Sequence, residues 1–172
     1  MKSRLIPCFA GLNLRDLIKT NSNKIFNSVS SPGATKRHID VFMLTWNHFS
    51  QTKRAISTLL DVTRFPDYTL IINDNGSDID MQKYLDRIKR DHRVKVIQHK
   101  KPEVSFCQAM NECLKISNSE FIVTVQNDMI FKNSNWMMEL VNCLERNPEA
   151  GMVGAKLIYP NGTIQHAGAT FD

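Results

Sequence analysis

The sequence predicts an α/β fold: a Rossmann-like, mostly parallel sheet with helices on both faces and a C-terminal hairpin. Three observations carry this. From Ile39 onward, short β-type apolar runs alternate with segments of helical periodicity. The connections between the first four runs are too long for hairpins, as parallel strands require. Last, the turn Pro160-Asn161-Gly162 stands between two short runs near the end of the chain.

Taken in order, Val41-Phe42-Met43-Leu44 is the first strand. Ser50 can cap a helix whose inner face carries Ala55, Ile56, Leu59 and Leu60, and Pro66 stops it. Tyr68 to Ile72 is the second strand. The following helix places Met81, Tyr84, Leu85 and Ile88 at i, i+3, i+4 and i+7. Val94 to Ile97 is the third strand, and Phe106, Ala109, Met110, Cys113 and Leu114 form the next apolar stripe. Phe121 to Val125 is nearly continuous β-type sequence, suited to a strand buried on both faces and expected to be central. A helix opened by Ser134 turns Trp136, Met137, Leu140, Val141 and Leu144 inward and ends before Pro148. Met152 to Ile158 and Thr163 to Gly168 make the hairpin.

The chain has 172 residues, 42% apolar and 23% charged, so its core can form without disulfides or a structural metal. Apolar runs of only a few residues exclude a membrane-spanning helix. The net charge of +5 is spread along the chain with no basic stripe, which argues against nucleic acid as a partner. Cys8, Cys107, Cys113 and Cys143 form no C-x-x-C pair and have no His at zinc-ligand spacing, pointing to a reduced, cytoplasmic protein. At the N-terminus, Pro7 interrupts the apolar run Leu5 to Ala10, which speaks against a signal peptide. Residues 1–38, rich in Asn and Ser between Thr20 and Ser31, read as a flexible arm, and residues 39–172 as the folded domain.

In such a sheet, ligands bind at the carboxyl ends of the strands near the switch point in strand order. Here those ends are polar: Thr45-Trp46-Asn47-His48, Asn73-Asp74-Asn75-Gly76-Ser77-Asp78 and Gln126-Asn127-Asp128. Together they suit a polar ligand with a flat ring, with or without a divalent cation. Each has a plainer reading as well. Asn73 to Gly76 suits a turn, Asp128 a solvated loop carboxylate and Trp46 a core residue at a strand edge. It is their placement at three matching strand ends that favours a site.

Val41 to His48, Ile71 to Ser77, Ser105 to Asn111, Phe121 to Asp128 and Lys156 to Gly168 together resemble the family 2 glycosyltransferases of the GT-A fold, in particular rhamnosyltransferase-like members. The resemblance runs from about Ile39 to the C-terminus. It implies transfer of a sugar from a nucleotide-diphosphate sugar donor to an acceptor hydroxyl on a saccharide or lipid-linked acceptor, with inversion and the help of Mg²⁺ or Mn²⁺, as in polysaccharide biosynthesis. Thr45, Asn47 and Asp74 would then hold the base and ribose, with Asn75 a further nucleotide-sugar-binding residue. Asn111 closes the segment that is Gly-rich in the family, where Ser105 takes the usual Gly position. The D-x-D metal motif falls on Gln126, Asn127 and Asp128, leaving Asp128 as the metal ligand and Gln126 and Asn127 as donor-binding amides.

His166 is the only imidazole in the C-terminal motif and is expected near donor or acceptor, though a His in a hairpin strand also suits the plain surface. The family's general base lies in an acidic motif beyond the His166-Ala167-Gly168 segment, and Asp172 at the last position is a poor substitute. The expectation is therefore the donor half of the fold, with the acceptor half missing and a non-catalytic nucleotide-sugar-binding module as the alternative. A nucleotidyltransferase ranks lower, because no glycine follows the first strand to cradle phosphates. Peripheral contact with the inner face of the membrane is left open by the arm's composition.

Overall fold

The computed structural model describes residues 37–168. The chain divides into two compact units, one spanning Thr35–Ser134 and the other including Asn135–Asp172. The expected arm, residues 1–38, lies outside the described residues except for Arg37 and His38.

The first unit runs β1 (Ile39–Thr45), α1 (Phe49–Val62), β2 (Tyr68–Asp74), α2 (Ile79–Ile88), β3 (Val94–Gln98), α3 (Phe106–Ile116) and β4 (Phe121–Val125). The four strands form one sheet in the order β3-β2-β1-β4, and every pair is parallel. From β1 the chain steps outward to β2 and β3, then α3 carries it back to the other side of β1. With right-handed crossovers, this reversal puts α1 and α2 on one face and α3 on the other.

The register pairs Phe42 with Ile71 and Thr45 with Asp74. Because side chains alternate between faces, Phe42 and Ile71 share the α3 face, where they pack with Cys113, Ile97 and Met110. Ile39, Val41, Met43, Leu70 and Ile72 fill the opposite face and are fully buried. The inward stripe of α1 is Thr52, Ala55, Ile56 and Leu59, and that of α2 is Met81, Tyr84 and Leu85. Phe49 meets Tyr84 edge-on at 5.7 Å, joining the two helices. Each fully buried Leu or Ile contributes roughly 1.5–3 kcal/mol, so these two faces hold the unit together.

Helix starts follow local chemistry. The Asp78 carboxylate accepts from the Met81 amide at 3.0 Å, and Ser105 and Gln108 form a reciprocal capping box. At α1 the expected cap is corrected. The helix begins one residue before Ser50, and its cap position is His48, which has φ 50° and makes no side-chain cap bond. Asn47 and His48 both adopt left-handed backbone, turning the chain sharply off β1.

A second correction concerns β4, expected to be central. Among the described residues it stands at the edge of the sheet, and Ile122 is 40% exposed. The central strands are β1 and β2. A continuous apolar run reports burial-compatible chemistry, whereas strand order is set by the crossovers.

The second unit contains α4 (Trp136–Arg146), with Met137 and Val141 buried, and the antiparallel pair β5 (Leu157–Ile158) and β6 (Ile164–His166). The Gly162 amide donates to the Tyr159 carbonyl at 2.9 Å, with Gly162 at φ +85°. The hairpin is present but shorter than expected. Met152, Ile158 and Ile164 are exposed, so no buried face extends the alternation. Among the described residues, no helix is long and apolar enough to cross a membrane.

Candidate functional site

The switch point lies between β1 and β4, so their carboxyl ends flank the crevice that such sheets use for ligands. Three loops leave the sheet at this end of the first unit, and one buried carboxylate organises two of them. Asp74, the last residue of β2, has no exposed surface. Its Oδ1 accepts from the Thr45 hydroxyl at 3.0 Å and from the Ser77 hydroxyl, while Oδ2 accepts from the Ser77 amide at 3.3 Å. A buried carboxylate is tolerated only when satisfied in this way, and each such bond to a charge is worth about 1.5–3 kcal/mol.

The Ser77 hydroxyl oxygen also accepts from the Asn47 amide at 2.7 Å, and Asn47 Oδ1 accepts from the Asp78 amide at 2.9 Å. The β1 loop is thereby clamped to the β2 loop on both sides of its left-handed turn. On its other flank, the Thr52 hydroxyl donates to the Asn47 carbonyl at 3.4 Å and accepts from Asn127 Nδ2 at 2.9 Å. Asn127 brings the β4 loop into the same network, next to Asp128.

The β2 loop is held from a further side. Asn75 Oδ1 accepts from the Glu103 and Val104 amides, both at 3.0 Å, and its Nδ2 donates to the Val104 carbonyl at 2.9 Å. Gly76 has φ +70°, and a Cβ there would sit 2.3 Å from the carbonyl carbon of Lys101, so only glycine lets the two backbones meet. On the α3 face, Asn73 Nδ2 donates to Glu112 Oε2 at 2.7 Å, which lies 2.9 Å from His99 Nε2. Those contacts, the Asn73 bond foremost, hold the Glu112 carboxyl below the usual range.

The expected residues divide clearly. Thr45, Asn47, Asp74 and Asn127 share one hydrogen-bonded network, and Asn75 anchors its rim. Gln126 and Asp128 are exposed at the end of β4. Trp46 is 53% exposed, so the core reading of that ring is set aside. Asn111 is exposed in the second turn of α3, and His166 is exposed in β6 of the second unit. Among the described residues, no group of three or more His, Cys, Asp or Glu is gathered as a metal cage. A lone accessible carboxylate does fit a hard cation that takes its remaining oxygens from a diphosphate and water.

Two residues of this network escaped the sequence reading. Ser77 was visible as a member of the polar strand end but not as the hub between Asp74 and Asn47. Thr52 carries no sequence signal, because a Thr on the inward face of a helix is ordinary.

The sequence pattern of the Glycosyl transferase family 2 matches residues 40–168. The chain belongs to that family. A chain of Sinorhizobium fredii named y4gI is 31% identical over 132 residues, covering 76% of this chain and 14% of the relative. The O-antigen biosynthesis protein RfbC of Myxococcus xanthus is 32% identical over 116 residues, covering 67% of this chain and 9% of RfbC. The chain thus spans only a small part of the curated relatives it matches.

Solved structures agree on the fold. The mannosyltransferase PcManGT of Pyrobaculum calidifontis, in complex with GDP-Man and Mn²⁺, aligns at a TM-score of 0.56 with 14% identity, covering 62% of this chain and 32% of that one. S. aureus TarS 1-349 in complex with UDP-GlcNAc aligns at 0.56 with 17% identity, covering 64% of this chain and 32% of that one. The family 2 domain of this chain therefore has the GT-A architecture, with the parallel sheet and flanking helices described above.

Proposed function

We propose that this chain provides the donor-binding part of a glycosyltransferase that moves a sugar from a nucleotide-diphosphate sugar to an acceptor hydroxyl, in the synthesis of a surface polysaccharide. The observation that carries the reading is the convergence of Thr45, Asn47, Asp74 and Asn127 at the switch-point crevice of a family 2 domain. The relatives add support, since RfbC is named for O-antigen biosynthesis and two aligned structures hold GDP-Man and UDP-GlcNAc.

In this reading Asp74 holds the β1 and β2 loops in shape, and Asn47 and Asn75 present the rim to the nucleoside. Gln126 and Asn127 take the ribose or its neighbours, and Asn111 is a further donor contact. Trp46 offers its exposed ring as a flat apolar surface at the mouth of the site. Asp128 is the residue that would hold Mg²⁺ or Mn²⁺, whose charge, when bound, neutralises the diphosphate as the sugar–phosphate bond breaks. The acceptor oxygen attacks the anomeric carbon on the face opposite the leaving diphosphate, giving inversion, and its proton passes to a general base. The donor site faces the cytoplasm.

The test is calorimetric titration of the chain with UDP, GDP and dTDP, each with Mn²⁺ and with chelator, followed by donor hydrolysis on whichever binds. Metal-dependent binding with turnover is the expected result, and Asp128→Asn should abolish the metal dependence. Binding without turnover would assign a donor-binding module instead. An unchanged Mn²⁺ response in Asp128→Asn would move the cation elsewhere.

A further inference from the structure

The hydroxyl of Thr52 lies between the loops that leave β1 and β4. Thr52 sits in the first turn of α1 and is fully buried. Its Oγ1 touches both loops at the switch point, donating to the Asn47 carbonyl at 3.4 Å and accepting from Asn127 Nδ2 at 2.9 Å. A threonine hydroxyl has one proton to give and lone pairs to receive, so it can make both bonds at once. The covalent path between the two loops is long, with 75 residues separating Thr52 from Asn127. Through space, a single oxygen joins them.

What lies on either side gives that oxygen its consequence. Upstream, the Asn47 amide is fixed by Ser77, whose hydroxyl is in turn fixed by Asp74. Downstream, Asn127 directly precedes Asp128, the exposed carboxylate at the end of β4. The contacts form a continuous series Asp74, Ser77, Asn47, Thr52, Asn127, with Asp128 at its end. A packing role alone would be met equally by Val, which has the same shape and is commoner at buried positions.

We propose that Thr52 is a positioning residue that sets Asp128 in register with the nucleotide loop at Asn47, so that a divalent cation and a nucleoside diphosphate reinforce each other's binding. The inference rests on the donor-site reading above. Coupling between two ligands is reciprocal, and couplings of the usual size correspond to about 5- to 150-fold changes in affinity. Losing the hydroxyl should therefore act on the metal-dependent part of nucleotide affinity. The metal-free part should survive, because Ser77 and Asp78 still hold the Asn47 loop.

The experiment compares the unaltered chain with Thr52→Val, Thr52→Ser and Asn127→Ala, titrating UDP, GDP and dTDP into each with Mn²⁺ and with chelator. In Thr52→Val the gain in affinity brought by Mn²⁺ should fall at least about fivefold, while affinity in chelator changes less than about twofold. Thr52→Ser should restore the gain, and Asn127→Ala, which also removes a donor contact and so weakens binding in chelator, should lower the Mn²⁺ gain by a similar factor on top of that, including where Thr52→Val does not fold. An undiminished Mn²⁺ gain in both Thr52→Val and Asn127→Ala overturns the inference and leaves the donor site standing. Equal losses with and without Mn²⁺ in Thr52→Val also overturn it, since they mark a merely structural role. Absence of UDP, GDP and dTDP binding by the unaltered chain overturns the donor-site reading, and the inference with it.

Discussion

Replacing Ser77 with Ala removes one oxygen on which the whole loop arrangement turns. Ser77 is 4% exposed, and its hydroxyl donates to the Asp74 carboxylate while accepting from the Asn47 amide. The lost bond to a buried charge is worth about 1.5–3 kcal/mol, and the Asn47 amide left without its partner costs about 1–3 kcal/mol more. These terms share one network and overlap, so the expected destabilisation is about 2–4 kcal/mol. That is a large share of the roughly 5–15 kcal/mol that holds a typical domain folded. Urea unfolding followed by circular dichroism should show a lower midpoint with an unchanged slope. As a control, the exposed Ser50, which makes no cap bond in α1, should lose less than about 0.5 kcal/mol on the same change. A loss below about 0.5 kcal/mol in Ser77→Ala would refute the idea that this hydroxyl joins the two loops.

Two further outcomes can be read from unfolding. Gly76→Ala should destabilise by at least about 2 kcal/mol, because left-handed backbone alone costs a residue with a Cβ about 1–2 kcal/mol and the new methyl meets Lys101 backbone that cannot rotate away; a variant of unaltered urea midpoint would contradict this. Acidification should weaken the fold through Glu112, held low chiefly by Asn73 and then by His99, and through Asp91, held low chiefly by Arg93. A carboxyl depressed in the folded state adds stability above the unfolded carboxylate pKa of about 4, and that stability is lost as pH falls through the lower folded value. Urea midpoints from pH 7 to pH 3 should therefore fall less steeply in Glu112→Gln than in the unaltered chain, and parallel profiles would count against the assignment.

The sequence by itself determined the class of fold and the polar residues that stand at the carboxyl end of the sheet. Strands such as Tyr68 to Ile72 are legible because a parallel strand covered on both faces must be continuously apolar, and the helices because their inward faces repeat at 3.6 residues. Thr45, Asn47, Asp74 and Asp128 were legible for a related reason: polar residues directly after such strands stand at the carboxyl edge whatever the strand order. Strand order itself was not legible, which is why Phe121 to Val125 read as central although β4 stands at the edge of the described sheet. The start of α1 was misplaced because its turn is made by left-handed backbone at Asn47 and His48 and not by a side-chain cap.

Only the tertiary structure decided what the site residues do for one another. Asp74 pairs with Thr45 across 29 residues, Asn73 with Glu112 across 39, and Asn127 with Thr52 across 75. Such contacts leave no local pattern, since any Ser or Thr near a turn or on a helix has the same composition whether or not its hydroxyl bridges two loops. The periodicities that write a sheet into a sequence act over a few residues. The hydrogen bonds that shape its crevice join segments brought together only once the crossovers have closed.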